Sequence, residues 1–151
     1  MSQRPRLTAA DIGGWLFTSN PRGFDPAARI ATRCARPTYR LGLVRAGQPA
    51  ILWVSGRSDT APRPGVWMVG HTTGTVTGDA ARPRIGLVMA PLDPMLPRER
   101  LRDDPRTAGM EVLRAPHASN PFVVSAAEIA AIRELTGAWP DPDEHNGPPL
   151  S

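Results

Sequence analysis

Short apolar runs bounded by turn residues recur along the chain. Four of them predict β-strands, because each is rich in aliphatic or aromatic residues and ends at Gly, Pro, Ser or Asn. These strands lie at residues 14–17, 50–55, 66–73 and 85–90. The polar segment 56–65 is expected to join an antiparallel pair. Residues 74–83 read as a second polar connection, and residues 112–114 as an edge strand.

Helical signals lie mainly beside these strands. Asp25 followed by Pro26 predicts a helix over residues 26–33, since Asp caps free N–H groups and Pro suits the first helical position. Residues 97–102 can form one or two turns. Ser125 lies three positions before Glu128, a capping box that predicts a helix ending near Gly137. Residues 35–45 fit a short helix or an irregular segment equally well.

The order of elements favours an α+β fold. Regular β–α alternation, which a doubly wound parallel sheet requires, is absent. We therefore expect a small, mixed but mostly antiparallel β-barrel with peripheral helices. The domain is predicted to span 11–138, between a flexible N-terminus (1–10) and a flexible, acidic, proline-rich tail (139–151). The 18 prolines and 14 glycines among 151 residues agree with many short elements rather than a helical bundle.

The sequence argues against several classes of protein. No apolar run approaches the roughly 20 residues of a membrane span, and residues 1–7 lack the apolar region of a secretory signal. The single cysteine, Cys34, suits a reducing cytosol, so we expect a cytoplasmic protein. His71, His117 and His145 are far apart and no CxxC pair exists, so no metal and no cofactor are expected.

Motifs for catalysis are also missing. The chain has no GxSxG elbow, no Walker motif and no GxGxxG sequence after a strand. A lysine base is impossible because all 18 basic residues are arginines. We therefore predict that the protein is not an enzyme.

The arginines are unevenly distributed. Residues 1–57 carry nine arginines against two acids, whereas residues 58–151 carry nine against twelve. A basic half is typical of proteins with an anionic partner such as nucleic acid, although solvated surface charge explains it equally well.

Tryptophans lie within three of the predicted strands. Trp15, Trp53 and Trp67 each fit core packing, the commonest role for this residue. Strand alternation, however, places Trp53 on the same face as Ser55, away from Leu52 and Val54. An aromatic ring beside a hydroxyl suits a planar, hydrogen-bonding ligand.

Four segments together resemble an EVE domain, a member of the PUA-like superfamily that also contains YTH domains. In chain order they are WLFTSNP, RPTYRLGLVRAGQPAILWVSG, PGVWMVGHTTG and EVLRAPHASNPFVVSAAEIAAI, which span about residues 13–137. The resemblance implies a partly closed β-barrel flanked by helices. It also implies non-enzymatic binding of a flipped-out, often modified base in an aromatic pocket. The implied partner is RNA or DNA, and the base itself stays open.

The resemblance also implies which residues form the site. The implied pocket residues are Trp15, Thr18, Ser19, Asn20, Tyr39, Arg40, Trp53, Ser55, Ser119 and Asn120. The loops beside them carry Arg22, Arg36 and Arg57, which are candidate phosphate contacts because a guanidinium forks onto phosphate oxygens.

One departure and two alternatives stand beside this interpretation. Many relatives carry a tryptophan shortly before the tyrosine segment, where this chain has Arg33 or Cys34, so its pocket would have fewer aromatic walls. A small hydrolase acting on a modified nucleoside would need His71, His117 or Glu111 in the pocket as a general base. A protein-interaction domain would instead show an exposed apolar patch without a basic rim.

Overall fold

The computed structural model describes residues 7–27, 30–59, 61–117, 119–137 and 139–140. The strands are β1 (Gly14–Ser19), β2 (Thr32–Cys34), β3 (Pro49–Val54), β4 (Gly65–Asp79), β5 (Arg82–Pro97) and β6 (Phe122–Val124). The helices are α1 (Arg98–Asp103), α2 (Glu111–Arg114) and α3 (Ala126–Thr136). Short 3₁₀ helices lie at Ala9–Asp11, Pro21–Gly23 and Tyr39–Leu43.

The six strands form one mixed sheet in the order β2-β5-β4-β3-β1-β6. Strands β1 and β3 pair in parallel, and every other neighbouring pair in this sheet is antiparallel. The sheet curls into a half-barrel with the three α-helices around it. This architecture confirms the predicted fold class, a small α+β barrel with a mixed, mostly antiparallel sheet.

Each face of the sheet buries its own apolar cluster. On one face, Leu16, Ile51 and Trp53 pack with Leu101 of α1 and Ile132 of α3. The other face carries a second cluster, whose largest members are Trp15, Phe17, Leu52, Met68 and Ile85. Strand alternation explains the division, since neighbouring residues of β1 point to opposite faces.

Helix α3 forms where the capping box predicts it. The Ser125 hydroxyl accepts the Glu128 amide at 3.2 Å, and the Glu128 carboxylate accepts the Ser125 amide at 2.9 Å. Gly137 ends the helix in the left-handed region at φ 70°. The predicted helix over 97–102 is likewise confirmed by α1.

The predicted helix over residues 26–33 is wrong. Thr32–Cys34 is strand β2, which pairs antiparallel with β5 through Thr32 and Gly86. Asp25 accepts the Ala27 amide at 2.9 Å, so the capping signal forms only a local turn. The free edge of β5 offers backbone hydrogen bonds to residues 32–34, although the two segments are far apart in the sequence. This pairing outweighs the local preference of the segment for a helix. Residues 28 and 29 lie outside the described residues.

Two further element predictions are wrong. The polar segment 74–83 is the distal part of a long hairpin, in which β4 runs to Asp79 and β5 begins at Arg82. These exposed polar residues can form a strand because the hydrogen bonds between β4 and β5 join backbone groups and do not require buried side chains. Residues 112–114 belong to α2, where the Arg114 amide donates to the Met110 carbonyl. A stretch of three residues, two of them apolar, is too short to distinguish period 2 from period 3.6.

The described ends of the chain contact the domain. Trp139, placed by sequence in the tail, donates its indole N–H to the Gly70 carbonyl at 2.9 Å and packs under the Arg133 guanidinium. At the other end, the Leu7 amide donates to the Tyr39 hydroxyl at 3.1 Å. Residues 1–6 and 141–151 of the two predicted flexible ends lie outside the described residues. No helix in the described part of the chain is long and apolar enough to cross a membrane.

Candidate functional site

The carboxyl ends of β1 and β3 meet at one edge of the sheet. The two strands are parallel neighbours, and Thr18 lies opposite Trp53. In a parallel pair, side chains opposite each other point to the same face. Thr18 and Trp53 therefore stand side by side where both strands end.

A pocket of about 380 Å³ opens at this edge; we refer to it as the strand-end pocket. It is lined by Thr18, Trp53, Ser55, Gly56, Arg57, Arg98, Arg102, Val112, Leu113, Pro116 and His117. Its volume falls within the roughly 300–1,000 Å³ typical of small-molecule sites. Four of the residues predicted from sequence, Thr18, Trp53, Ser55 and Arg57, thus meet in one pocket.

Apolar and hydroxyl-bearing residues share the wall of the strand-end pocket. Trp53 is 3% exposed and extends the core to the pocket, while α2 contributes Val112 and Leu113. The Ser55 hydroxyl and amide both donate to the Ser19 carbonyl, at 3.2 and 3.1 Å. These bonds fix the first residue after β3 and leave the Ser55 oxygen lone pairs as acceptors.

Three arginines give the strand-end pocket its positive charge. Half-buried Arg98 donates to the Gly56 carbonyl at 2.7 Å and to the Ser58 hydroxyl at 3.1 Å. Arg102 lies one turn further along α1 and is exposed. Arg57 is highly exposed and contacts Asp59 at 3.4 Å. None of the described residues that line the pocket is a carboxylate, and Asp59, which pairs with Arg57, lies outside the lining.

A fourth arginine holds the end of β1. Arg33 donates to the Thr18 carbonyl at 2.5 Å. Burial lowers the pKa of the Arg33 guanidinium, and the neighbouring Arg84 adds to the decrease. An arginine remains charged after such a decrease, so Arg33 acts as a cationic tether at the end of β1.

Trp15 does not reach the strand-end pocket. It is fully buried, and its indole N–H donates to the Gln48 side chain at 2.8 Å. Trp15 and Trp53 belong to clusters on opposite faces of the sheet. Trp53 shares a face with Thr18, its partner on β1. Trp15 lies an odd number of residues from Thr18 on the same strand, so its side chain points to the other face. Trp15 and Trp53, both predicted pocket residues, are therefore not brought together in one pocket.

The turn after β1 uses its polar groups locally. The Ser19 carbonyl accepts the two bonds from Ser55, and the Ser19 side chain is buried. The Asn20 side chain accepts the Arg22 amide at 3.0 Å and caps the 3₁₀ helix that follows. Both residues therefore shape the edge of the sheet and do not line the strand-end pocket.

The remaining predicted pocket residues, Tyr39, Arg40, Ser119 and Asn120, lie in a second concavity of about 240 Å³, which we call the Tyr39 concavity. It is lined by Arg36, Thr38, Tyr39, Arg40, Ser119, Asn120 and Pro121. Arg40 is bound to Glu111 through two contacts of 2.7 and 3.1 Å, and also donates to the Pro121 carbonyl at 3.2 Å. The hydrogen bonds to Glu111 raise the pKa of Arg40, so Arg40 stays protonated. The negative charge of the Glu111 carboxylate balances the positive charge of Arg40.

The three predicted phosphate contacts occupy different places. Arg57 lines the strand-end pocket and Arg36 lines the Tyr39 concavity. Arg22 is exposed on the 3₁₀ helix after β1 and lines neither.

Only one of the three candidate general bases lines the strand-end pocket. His117 does so and is exposed, whereas His71 is buried within β4 and Glu111 is held by Arg40. No group of three or more His, Cys, Asp or Glu side chains within the described residues is arranged to hold a metal ion.

The sequence interpretation missed Arg98, Arg102, Val112, Leu113 and Pro116. A signal existed for the two arginines, because residues four apart on a predicted helix share one face. No signal existed for Val112 and Leu113, whose position depends on how α2 packs on the end of the sheet.

Comparison with known proteins supports the fold. No family model matches the chain, and no curated protein matches its sequence. A hypothetical protein from Leishmania major matches with a TM-score of 0.64 and 18% identity, over 92% of this chain and 99% of that chain. Rpa0253 from Rhodopseudomonas palustris matches with a TM-score of 0.63 and 15% identity, over 83% and 94%.

A third solved structure matches with a TM-score of 0.58 and 14% identity, over 84% of this chain and 99% of that chain. It is human THYN1 in complex with 5-methylcytosine-containing DNA. At these identities the matches show the fold alone. Membership in the EVE family and in the PUA-like superfamily therefore stays a prediction.

Proposed function

We propose that the protein binds nucleic acid and holds one modified, flipped-out base in the strand-end pocket. The observation that carries the proposal is the composition of that pocket: Trp53 beside two hydroxyl side chains, under three arginines and no carboxylate among the described lining residues. The shared fold with THYN1, a protein solved with 5-methylcytosine-containing DNA, supports the same class of partner.

Stacking on an aromatic ring does not by itself supply enough free energy to hold a flipped-out base. Extruding a base from a duplex costs a few kcal/mol. An aromatic ring returns about 1–3 kcal/mol per stacked base, and Trp53, which is 3% exposed, offers only part of its ring to a ligand. Charge-assisted hydrogen bonds to phosphate contribute about 1.5–3 kcal/mol each, so the arginines at the rim make extrusion favourable.

We further propose that the protein binds its nucleic-acid ligand and catalyses no reaction on it. Among the described lining residues, His117 is the only candidate general base, and no lining carboxylate is present to orient it. Incubation with a modified oligonucleotide should return it unchanged by mass spectrometry. Release of a base or altered nucleoside would instead favour the hydrolase alternative.

Two variants test the pocket in one binding assay. The probes are single-stranded DNA oligonucleotides that carry either cytosine or 5-methylcytosine at one position. Thr18→Val keeps the shape and β-branching of Thr18 and removes its hydroxyl, so it should weaken binding of the preferred probe about 3- to 10-fold, the value of one hydrogen bond. Arg102→Gln should weaken both probes about tenfold or more and reduce the slope of log K against log salt concentration by about 0.7.

The matched control is Arg82→Gln at the exposed tip of the β4–β5 hairpin, which removes the same charge away from the strand-end pocket. This control should bind as the parent does. Equal affinity of all four proteins would refute the pocket assignment, and no binding of the parent to either probe would count against the proposed function.

A further inference from the structure

The Tyr39 concavity lies directly beside the strand-end pocket. One loop serves both: Pro116 and His117 line the strand-end pocket, and Ser119 and Asn120 line the Tyr39 concavity. Arg36 joins the two, since its guanidinium donates to the His117 carbonyl at 3.3 Å and its amide donates to the Asn120 carbonyl at 2.8 Å. A ligand leaving the strand-end pocket over this loop therefore passes Arg36.

Tyr39 is unusual among the described residues. It is 41% exposed, and Val76 is the only other large hydrophobic residue in the described chain with comparable exposure. Its hydroxyl accepts the Leu7 amide, which holds the side chain in place. An exposed aromatic ring of fixed orientation is suited to stacking on a nucleobase.

The charge of the Tyr39 concavity suits the nucleotide backbone. Glu111 neutralises Arg40, and none of the described residues lining the concavity is a carboxylate. Arg36 is the second guanidinium on its wall and stands on the side that faces the strand-end pocket. Thr38 and Ser119 add hydroxyls that can bond to a sugar or a base edge.

We propose that the Tyr39 concavity is a second subsite, which takes the nucleotide adjacent to the flipped one. The flanking base stacks on Tyr39, and the phosphate between the two nucleotides lies over Arg36. This inference rests on the proposed function. It adds that the preferred ligand is an unpaired stretch of at least two nucleotides, because a base still paired in a duplex has no free face to stack on the ring.

The test combines one ring deletion with removal of the flanking base. The parent, Tyr39→Ala and Tyr39→Phe are titrated with a DNA trinucleotide that has 5-methylcytosine at its centre and thymine on both sides. The same proteins are titrated with two versions in which one thymine is replaced by an abasic site, and with 5-methyldeoxycytidine monophosphate. Thermal unfolding of each variant checks that it remains folded.

We expect Tyr39→Ala to bind the full trinucleotide about tenfold more weakly. Tyr39→Phe keeps the stacking face and loses only the bond from the Leu7 amide, so it should weaken binding less than Tyr39→Ala does. One abasic trinucleotide should bind the parent about tenfold more weakly, and Tyr39→Ala should weaken that probe no further. The mononucleotide should bind all three proteins equally.

Two results would overturn the second subsite alone. If the parent binds the trinucleotide and Tyr39→Ala binds it equally well, the strand-end pocket stands and the subsite is wrong. If Tyr39→Ala weakens the full and both abasic probes to the same extent, the ring does not stack on a flanking base. Failure of the parent to bind any probe would instead remove the proposed function, and the subsite with it.

Discussion

Individual arginines of this protein take different roles according to their neighbours. Arg40 and Arg102 are both near proposed ligand sites, yet Glu111 engages both nitrogens of the Arg40 fork, while Arg102 is exposed on α1. Glu111 also accepts the Val123 amide at 3.3 Å, so the pair joins the Tyr39–Leu43 3₁₀ helix to α2 and β6. Arg40, placed in the pocket by resemblance, thus stabilises the wall on which Tyr39 stands.

Arg40→Gln should lower the free energy of unfolding by about 2 kcal/mol. The side chains of Arg40 and Glu111 are only 16% and 18% exposed, so removal of one partner leaves the other charge largely desolvated. Fully buried pairs lose about 3–5 kcal/mol on this change, and the residual exposure reduces the value. Urea denaturation of Arg40→Gln, Glu111→Gln and the double variant measures the coupling. Strictly additive losses would show that the two side chains do not stabilise each other.

The two tryptophans of the predicted site show what residue patterns determine. The face shared by Trp53 and Ser55 follows from alternation within one strand, and both residues line the strand-end pocket. The face taken by Trp15 depends on the register between β1 and β3, in which Trp15 lies opposite Ala50. A local pattern carries no information about that register, so the pairing of Trp15 with Trp53 could not be tested from sequence.

Elements whose signal is local were predicted well. Helix α3 has a reciprocal capping box and a left-handed glycine at its end, both of which are visible in the sequence. Strand β2 has only three residues and forms because β5 presents a free edge to it. Helix α2 is a single turn, packed through Val112 on the core. Such short elements depend on their neighbours in space rather than on their own residues.

Ser125→Ala should destabilise the protein by about 1 kcal/mol. The change removes the hydroxyl that accepts the Glu128 amide and leaves a free N–H group at the start of α3. Ser125→Asp should retain most of the stability, because aspartate also caps and its charge suits a helix N-terminus. Chemical denaturation compares the three proteins; equal loss in both variants would show that capping is not the role of this side chain.

At the scale of the whole molecule, the fold brings separate stretches of sequence to one edge of the sheet. The strand-end pocket draws on the ends of β1 and β3, on α1 and on α2 with its following loop. Its positive charge comes from both halves of the chain, since Arg57 belongs to the basic first part and Arg98 and Arg102 to the acidic remainder. The charge imbalance along the sequence therefore does not locate the positive charge of the strand-end pocket.

The fold class was predictable because strand number, turn residues and the order of elements are local features. The curl of the sheet and the position of α1 and α2 over the strand ends arise from packing of the cluster that contains Leu101, Val112 and Ile132. The candidate site was accordingly only partly predictable. Its strand residues and the shared face of Arg98 and Arg102 can be read from the sequence, whereas the contribution of Val112 and Leu113 depends on how α2 packs.

The most direct test of nucleic-acid binding in the strand-end pocket is an NMR titration of the isotope-labelled protein with a single-stranded 5-methylcytosine oligonucleotide. We predict the largest shift changes at the amides of Thr18, Ser55, Gly56 and Leu113 and at the Trp53 indole, all of which lie at that pocket. Another concavity, of about 390 Å³, lies between the end of β5 and the end of α3, at Leu92, Met95 and Leu135. Shift changes confined to the residues of this other concavity, or no shift changes at a large excess of oligonucleotide, would contradict the account.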